Sequence, residues 1–378
     1  MEALTLYQNQ FLSLIKAGLW GNEPEKALFD ENTDWKEIYE ISRKQTVLGI
    51  VLDGIELLPE NIRPQKSLYL KWCADVISIE DANLKLNEEV VNLFNFLHDN
   101  DINPILLKGQ GIAQYYRNPL HRSCGDIDIY IGKKNYEKVN ELLSQEGFSY
   151  DKWSLLHMAF KWHNVDVENH RLIAHMISPI AQQRLENLVK KWLQPNLLNS
   201  VIINGNDIST PPVNFNAAYL LLHSIDHILW EGIGLRQSCD WAIFLNSQHK
   251  KIDWESVKDI LEKLGILNGW KIFGAMAVKY LGLSPKDIFI EFNQEDEKEA
   301  DKLIEDIFQR GNFGFFTNNL QTKKYHFIRQ KWENYKNSYK RKKSLKKIAP
   351  NEAKWARLTI FKNFFSAQFF SFVHNTKK

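Results

Sequence analysis

The sequence predicts an α+β protein in which helical domains flank a small mixed-sheet core. Residues 1–100 and 211–321 carry apolar residues at the three- and four-residue spacing of helices, which predicts the N-terminal and C-terminal helical domains. Residues 101–210 contain short apolar runs and alternating segments instead, which predicts the α/β core. Residues 322–378 differ in composition, and we expect a basic, aromatic-rich helical tail there.

The N-terminal region is predicted to consist of helices that pack around the core. An apolar stripe at helical spacing predicts a first helix over Leu4–Leu19. A second helix is predicted over Asp34–Ile50, because Asn32-Thr33-Asp34 supplies capping residues. Residues 67–97 predict one long helix or two. No catalytic signature is present here, so we expect a packing role, with substrate contacts as the alternative.

The most informative stretch of the core lies between residues 102 and 132. Ile105-Leu106-Leu107 predicts a buried strand, and Lys108-Gly109-Gln110-Gly111 follows at its end. Residues 112–116 predict a short helix, stopped by Asn118-Pro119. Residues 125–131, Gly-Asp-Ile-Asp-Ile-Tyr-Ile, alternate strictly and predict a second strand.

Asp126 and Asp128 lie two residues apart in this second strand, so their side chains project from the same face. Their Cα atoms are expected to lie about 6.5–7 Å apart, and two such charges repel unless a cation lies between them. Hard cations such as Mg²⁺ bind carboxylate oxygens. Gly109 and Gly111 allow backbone N–H groups to approach a phosphate, and a following helix N-terminus favours the anion. One segment therefore combines a metal-binding face with a phosphate-binding turn.

The same stretch resembles the nucleotidyltransferase superfamily that includes DNA polymerase beta, in which a Gly-rich turn and a short helix precede a strand with Asp-x-Asp. It is more specifically similar to a bacterial group known only as a nucleotidyltransferase family. The matching residues are Leu107-Lys108-Gly109, Tyr115 or Tyr116, Arg122 and Asp126-Ile127-Asp128. Gly109-Gln110 stands where the superfamily has Gly-Ser or Gly-Gly, so the Ser hydroxyl is missing, and Gly111 is expected to compensate in part.

The resemblance implies a third carboxylate on a neighbouring strand, between hydrophobic residues. Val165-Asp166-Val167 matches that setting best. Glu168 shares the face of Asp166 and is the alternative, as is a site without a third acid. The resembled group often has a His two residues after the acid; counted from Asp166 that position is Glu168, and His170 comes later.

The resemblance also implies a reaction, the transfer of NMP from an NTP, expected to be ATP, to a hydroxyl-bearing acceptor with release of pyrophosphate. The residues expected to be catalytic and to hold two Mg²⁺ ions are Asp126, Asp128 and Asp166. The residues expected to bind the nucleotide are Lys108, Gly109, Gln110, Gly111 and Arg122. For Lys108 a solvated strand end is the alternative, and for Arg122 a contact within its loop. The acceptor stays unidentified, with a small molecule favoured.

A second likeness to the same group lies about 100 residues later in the chain. A His-rich helix, Leu-Arg and Asp-Trp are matched by His223 and His227, by Leu235-Arg236 and by Asp240-Trp241. The two histidines share a helix face, but no third ligand is evident, so zinc is disfavoured. Arg236 and Asp240 have i, i+4 spacing and are expected to pair, with a substrate contact as the alternative.

The tail, residues 322–378, concentrates positive charge. It holds 16 Lys and Arg against 2 Asp and Glu, so the other 321 residues carry −12 of a total of +2. We expect helices that dock on the acidic remainder, with contact to a membrane surface or to nucleic acid as alternatives. A nucleotidyltransferase directed at RNA or tRNA, or a non-catalytic protein that binds nucleotide or polyanion, are the corresponding alternative functions.

Cysteine usage and apolar run lengths predict a cytoplasmic protein. The three cysteines, Cys73, Cys124 and Cys239, are odd in number and widely spaced, which argues against a disulfide framework or a zinc ribbon. No apolar run reaches the length of about 18 residues needed to span a bilayer. The first ten residues contain an early acid and lack the basic region of a signal peptide.

Overall fold

A computed structural model describes residues 4–148, 150–151, 157–230, 232–312, 343 and 345–359. Within these residues the chain mixes many helices with one small mixed sheet and a two-stranded hairpin, which agrees with the predicted α+β class. The predicted domain boundaries after residues 100, 210 and 321 stay predictions.

The elements occur in the following order. The helices before the sheet are α1 (Leu6–Trp20), α2 (Trp35–Lys44), α3 (Leu48–Glu56) and α4 (Lys66–Asp99). The elements of the sheet region are β1 (Ile105–Leu107), α5 (Gly109–Ala113), β2 (Asp126–Tyr130), α6 (Lys133–Gln145), β3 (Tyr150–Asp151), β4 (His157–Trp162) and β5 (Val165–His170). Next come α7 (Pro179–Trp192), β6 (Asn199–Ile203) and β7 (Asn206–Thr210). The later helices are α8 (Val213–Trp230), α9 (Leu235–Gln248), α10 (Trp254–Leu264), α11 (Leu267–Leu281) and α12 (Gln294–Arg310).

The N-terminal helices differ from the prediction at one point. The single helix predicted over Asp34–Ile50 is wrong, because the chain forms α2 and α3 with a break between them. Thr46 has a φ of 55°, outside the helical region, and this residue ends the continuous ladder of helical hydrogen bonds. Asp34 caps α2 as predicted, since its side chain accepts from the Glu37 N–H at 3.1 Å. The region over residues 67–97 forms one helix, α4.

Helices α1 and α3 pack closely because two glycines allow their backbones to approach. A Cβ at Gly18 would lie 1.9 Å from the Ile50 carbonyl oxygen. A Cβ at Gly54 would lie 2.2 Å from the Leu14 carbonyl oxygen. Both positions therefore exclude any side chain, and the helix pair depends on them.

The larger sheet has the strand order β1-β2-β5-β4-β3. Strands β2 and β5 pair in parallel, and the other neighbours pair antiparallel. Asn204-Gly205 lies between two apolar runs, a pattern that predicts a β-hairpin, and β6 and β7 confirm this prediction. Its turn residues, Asn204 and Gly205, have φ values of 47° and 78°, as a type I′ turn requires.

Two apolar clusters hold these elements together. The larger one joins helices that precede the sheet in the chain to helices that follow it, and its biggest fully buried side chains include Trp72, Trp241 and Trp270. The smaller one contains Ile127, Ile129 and other residues of the sheet, with the C-terminal half of α4, α6 and the hairpin. Helices that are distant in sequence thus share one core next to the sheet.

Part of the predicted tail packs on this core. Residues 350–359 are helical, and Ile348, Ala349 and Ala353 are buried in the larger cluster. The rest of the tail, including the phenylalanine-rich residues 361–372 and most of the basic residues, lies outside the described residues. Among the described helices, none combines the length and the apolar character that crossing a bilayer requires. The cytoplasmic location stays a prediction.

Candidate functional site

The register between β2 and β5 places four acidic residues on one face of the sheet. Asp126 lies opposite Asp166, and Asp128 lies opposite Glu168. Since side chains alternate between the faces of a strand, all four carboxylates project to the same side. The intervening residues, such as Ile127, face the smaller apolar cluster and fix the sheet from behind.

Asp128 is the centre of the site. Its carboxyl group is 4 % exposed, and one oxygen, Oδ1, lies 2.8 Å from His170 Nε2 and 3.1 Å from Lys108 Nζ. Glu168 Oε2 lies 3.5 Å from the same His170 nitrogen. Asp128, Glu168 and His170 each offer one ligand atom, and these atoms all lie within 4.8 Å of one another. Such a set of oxygen and nitrogen donors suits a divalent cation.

Lys108 reaches Asp128 from the end of β1. Its backbone has a φ of 48°, which is uncommon for a residue other than glycine. Its ammonium group lies between Asp128 Oδ1 and His223 Nε2, the latter at 3.3 Å. The side chain is only 15 % exposed, so Lys108 is part of the site rather than a solvated strand end.

The charges of the site shift the pKa values of the two β2 carboxyls in opposite directions. The negative charge of Asp128, together with burial, raises the pKa of Asp126. Burial by itself would raise the pKa of Asp128, but the contacts with Lys108 and His170 lower it well below its usual range. Asp128 is therefore ionised at neutral pH, whereas the neighbouring charge of Asp128 disfavours the ionised form of Asp126.

Burial and neighbouring charges also shift the pKa values of Glu168, Lys108 and His223. Burial and the charge of Asp128 raise the pKa of Glu168. Burial would lower the pKa of Lys108, but Asp128 and Tyr219 raise it, and the net pKa is above its ordinary value. Burial and the charge of Lys108 lower the pKa of His223 well below its ordinary value, so this imidazole is neutral at pH 7.

A divalent cation bound between Asp126 and Asp128 would relieve the charge repulsion that raises the pKa of Asp126. The donors present are mostly carboxylate oxygens with one imidazole nitrogen, which fits Mg²⁺ or a related divalent metal. Asp126 and Asp128 are adjacent on this face, and Glu168 and His170 flank them on β5. The residues present therefore fit the metal that the sequence predicts.

Asp166 lies at the rim of this group. Its side chain is 62 % exposed, and its carboxylate lies 2.7 Å from Lys161 Nζ on β4. It lines the same cavity as the other acids. The prediction that Asp166 is the third carboxylate stays a prediction, and Glu168, the alternative, lies closer to the centre of the site.

The glycine turn contributes less of its length to the site than predicted. Gly109 lines the cavity. Gln110 is buried and points away from it, because its amide donates to both oxygens of Asn83 on α4 at 3.2 Å. The Gly111 N–H donates to the Lys108 carbonyl at 3.0 Å. Of residues 108–111, Lys108 and Gly109 line the cavity, and phosphate binding by Gln110 and Gly111 stays a prediction.

Arg122 joins the sheet region to α9. Its guanidinium forms two hydrogen bonds with Asp240, at 2.7 and 2.8 Å, and both side chains are buried. The Tyr116 hydroxyl donates to the same carboxylate at 2.7 Å. The expectation that Asp240 pairs with Arg236 is therefore wrong. Arg122 pairs with this distant helix, also donates to the Ser123 carbonyl of its own loop at 3.3 Å, and lines the cavity, so nucleotide binding by Arg122 stays a prediction.

Arg236 instead turns towards the acids. It donates to the Ser123 carbonyl at 2.5 Å and lines the cavity, and its charge acts on Asp126. Its buried Nε has no hydrogen-bond partner within the described residues. The Arg236 guanidinium thus lines a cavity that could hold phosphate groups, and it makes one hydrogen bond within the protein there.

The acidic and basic side chains described above line one cavity of about 770 Å³. That volume lies within the range of about 300–1,000 Å³ usual for ligand sites. The opposite wall comes from α8, with His223, Ser224, Asp226 and His227, and from residues 172–175 after β5. Thr46, Gln237 and Asn312 complete it from other parts of the chain.

Two features of the site escaped the sequence interpretation. His170 contacts both Asp128 and Glu168, and His157 Nε2 lies 3.3 Å from Glu168 Oε1. A signal was present: the resembled group often has a His two residues after the acid, and His170 follows Glu168 by two. Counting from Glu168 instead of Asp166 would have identified Glu168 and His170, whereas no sequence pattern indicated His157.

Comparison with known proteins adds one match. A family model described as "Uncharacterised nucleotidyltransferase" matches residues 31–282, two thirds of the 378-residue chain. The matched range contains the carboxylates, Lys108 and Arg236. No curated protein matches the chain.

Proposed function

Because the chain belongs to the family of uncharacterised nucleotidyltransferases, we propose that it transfers NMP from an NTP, expected to be ATP, to a hydroxyl-bearing acceptor, with release of pyrophosphate. The observation that carries the proposal is the cluster of buried Asp128 with the half-buried Glu168 and His170 beside Asp126, in a cavity large enough for a nucleotide. The small sheet would then be a nucleotidyltransferase core of the polymerase beta-like superfamily, flanked by the helical domains.

Asp126, Asp128 and Glu168 would hold the divalent metal, expected to be two Mg²⁺ ions. We choose Glu168 over Asp166 because Glu168 is close to Asp128, whereas Asp166 is exposed and paired with Lys161. Bound metal would lower the pKa of the attacking hydroxyl and neutralise charge on the pyrophosphate.

The protein groups around the acids would prepare this site. Lys108 and His170 keep Asp128 ionised and fix the orientation of its carboxylate. The pKa values of Asp126 and Glu168 are raised, so these two carboxyls must lose protons before they can bind a cation. Activity should therefore fall as the pH drops into their titration range.

The triphosphate would lie between the glycine turn and α9. The N–H groups of Gly109 and Gln110 and the guanidinium of Arg236 would bind its oxygens. Lys108 would add its charge from the side of Asp128. Arg122 would hold the loop before β2 against α9 through Asp240 and leave phosphate binding to Arg236.

The acceptor would enter from the side of α8. His223, Ser224 and His227 offer hydrogen-bonding groups there, and His223 is neutral. A small-molecule acceptor fits a cavity of about 770 Å³. Contacts of residues 322–378 with nucleic acid or a membrane surface stay predictions, since most of those residues lie outside the described part of the chain.

The test is incubation of the purified protein with each labelled NTP, MgCl₂ and a fractionated cell extract, with pyrophosphate release measured in parallel. Asp126→Asn and Glu168→Gln should each lower the rate by about 10²–10³-fold, a loss typical of one group that stabilises developing charge. The matched control is Asp166→Asn, which should retain the rate within about threefold because its partner, Lys161, is exposed. Full activity of Glu168→Gln, with loss in Asp166→Asn, would move the third ligand to Asp166.

A further inference from the structure

The C-terminal segment of residues 345–359 lies beyond the range matched by the family model, yet it packs on the body of the protein. Ile348, Ala349 and Ala353 are buried in the larger apolar cluster. Lys347 forms ion pairs with Glu295 and, at 3.2 Å, with Glu299 on α12. The segment is therefore anchored on two sides.

Glu352 carries the most specific contact of this segment. Its side chain is buried, 4 % exposed, and its carboxylate accepts the Ile177 N–H at 2.6 Å and the Ser178 N–H at 3.2 Å. Ser178 in turn caps α7, because its hydroxyl accepts from the Ala181 N–H at 3.4 Å. Burial raises the pKa of Glu352 while both backbone bonds lower it, and the net pKa is raised.

The backbone held by Glu352 belongs to a loop that forms one wall of the candidate site. Residues 171–178 connect β5 to α7, and residues 172–175 line the cavity. One end of the loop is fixed where His170 contacts Asp128. The other end is fixed by Glu352 and by Gln182, whose side chain accepts the Met176 N–H at 2.7 Å.

We propose that Glu352 is a positioning residue of the active site, which holds the cavity wall of residues 172–175 in place through the N–H groups of Ile177 and Ser178. A charge-assisted hydrogen bond to a backbone N–H is stronger than a neutral one, and two of them end on one carboxylate here. Removing the carboxylate leaves two N–H groups without their acceptor and frees the loop at one end. This inference rests on the proposed function, because the cavity that residues 172–175 line is taken to be the site of NMP transfer.

Kinetics and hydrogen–deuterium exchange of the full-length protein test this proposal together. Glu352→Ala should raise the KM for Mg·ATP or for the acceptor by about tenfold and change kcat by less than about threefold, because the reacting groups stay in place. Amide exchange over residues 171–178 should accelerate by about tenfold. Glu352→Gln, which keeps one acceptor oxygen, should restore part of both effects.

The matched control is Lys347→Met, which removes the exposed anchor of the same segment and should change neither KM nor exchange of the loop. Exchange that accelerates only within residues 350–359 of Glu352→Ala, with KM unchanged, would overturn the proposal. If Glu352→Ala fails to fold, the same readouts on Glu352→Gln decide. A wild type without transferase activity would refute the proposed function, whereas the exchange experiment would still test whether Glu352 holds the loop.

Discussion

Asparagine at position 126 and asparagine at position 128 should change the free energy of unfolding in opposite directions. The two side chains lie two residues apart on β2, and asparagine keeps the shape of either one. The pKa of Asp126 is raised, chiefly by the charge of Asp128, and that of Asp128 is lowered by Lys108 and His170. At neutral pH the charge on Asp126 therefore destabilises the fold, and the charge on Asp128 stabilises it.

The expected magnitudes follow from these contacts. Asp126→Asn removes a like-charge repulsion and should raise the free energy of unfolding by about 0.5–2 kcal/mol, the range of single stabilising substitutions. Asp128→Asn leaves the buried Lys108 ammonium, 3.1 Å away, without its anion. Breaking such a pair costs about 3–5 kcal/mol, and the remaining amide oxygen favours the lower end, about 3 kcal/mol.

Urea unfolding in EDTA at pH 7.5, followed by tryptophan fluorescence, measures both changes without a bound metal. The unfolding slopes of the three proteins should agree, so that the midpoints report stability. Adding Mg²⁺ should then stabilise the wild type, since the metal binds the folded state, and should stabilise Asp126→Asn less. If both variants lose stability by similar amounts, the two carboxyls are electrostatically equivalent, and the arrangement around Lys108 is wrong.

Three further predictions concern the surroundings of the site. Asp240→Asn should lower the free energy of unfolding by about 3 kcal/mol, because Arg122 stays buried without its partner; the double variant with Arg122→Met should lose less than the sum of the single losses in urea unfolding, and additive losses would exclude the coupling. His223 has a lowered pKa, so its contribution to stability is complete above about pH 6.5 and falls by up to about 1.4 kcal/mol per pH unit below it; His223→Asn should flatten this slope in unfolding curves taken between pH 5 and 7, and an unchanged slope would contradict the shift. Gly54→Ala should destabilise by about 3 kcal/mol or prevent folding, since its Cβ would meet the Leu14 carbonyl at 2.2 Å; a wild-type Tm would show that α1 and α3 do not pack this closely.

Local patterns were sufficient to predict much of the chain near the site. The alternation of residues 125–131 predicted a strand with both aspartates on one face, and β2 confirms it. The apolar spacing within Lys133–Gln145 predicts an amphipathic helix, which α6 confirms, and β6 and β7 confirm the Asn-Gly hairpin. These features depend on side chains a few residues apart, whose spacing is visible in one sequence. The prediction of one helix over Asp34–Ile50 was wrong because no pattern of neighbouring residues indicates the break at Thr46.

The sequence by itself determined which residues could form a metal-binding face, because alternation along a strand assigns every second side chain to one side. It did not determine which acid of β5 meets Asp128, since Asp166 and Glu168 share a face and differ only in the register of a pairing between distant strands. The tertiary structure decided that register. It also joined Arg122 to Asp240 and Ser178 to Glu352, across 118 and 174 residues, and contacts at such distances depend on how the whole chain packs.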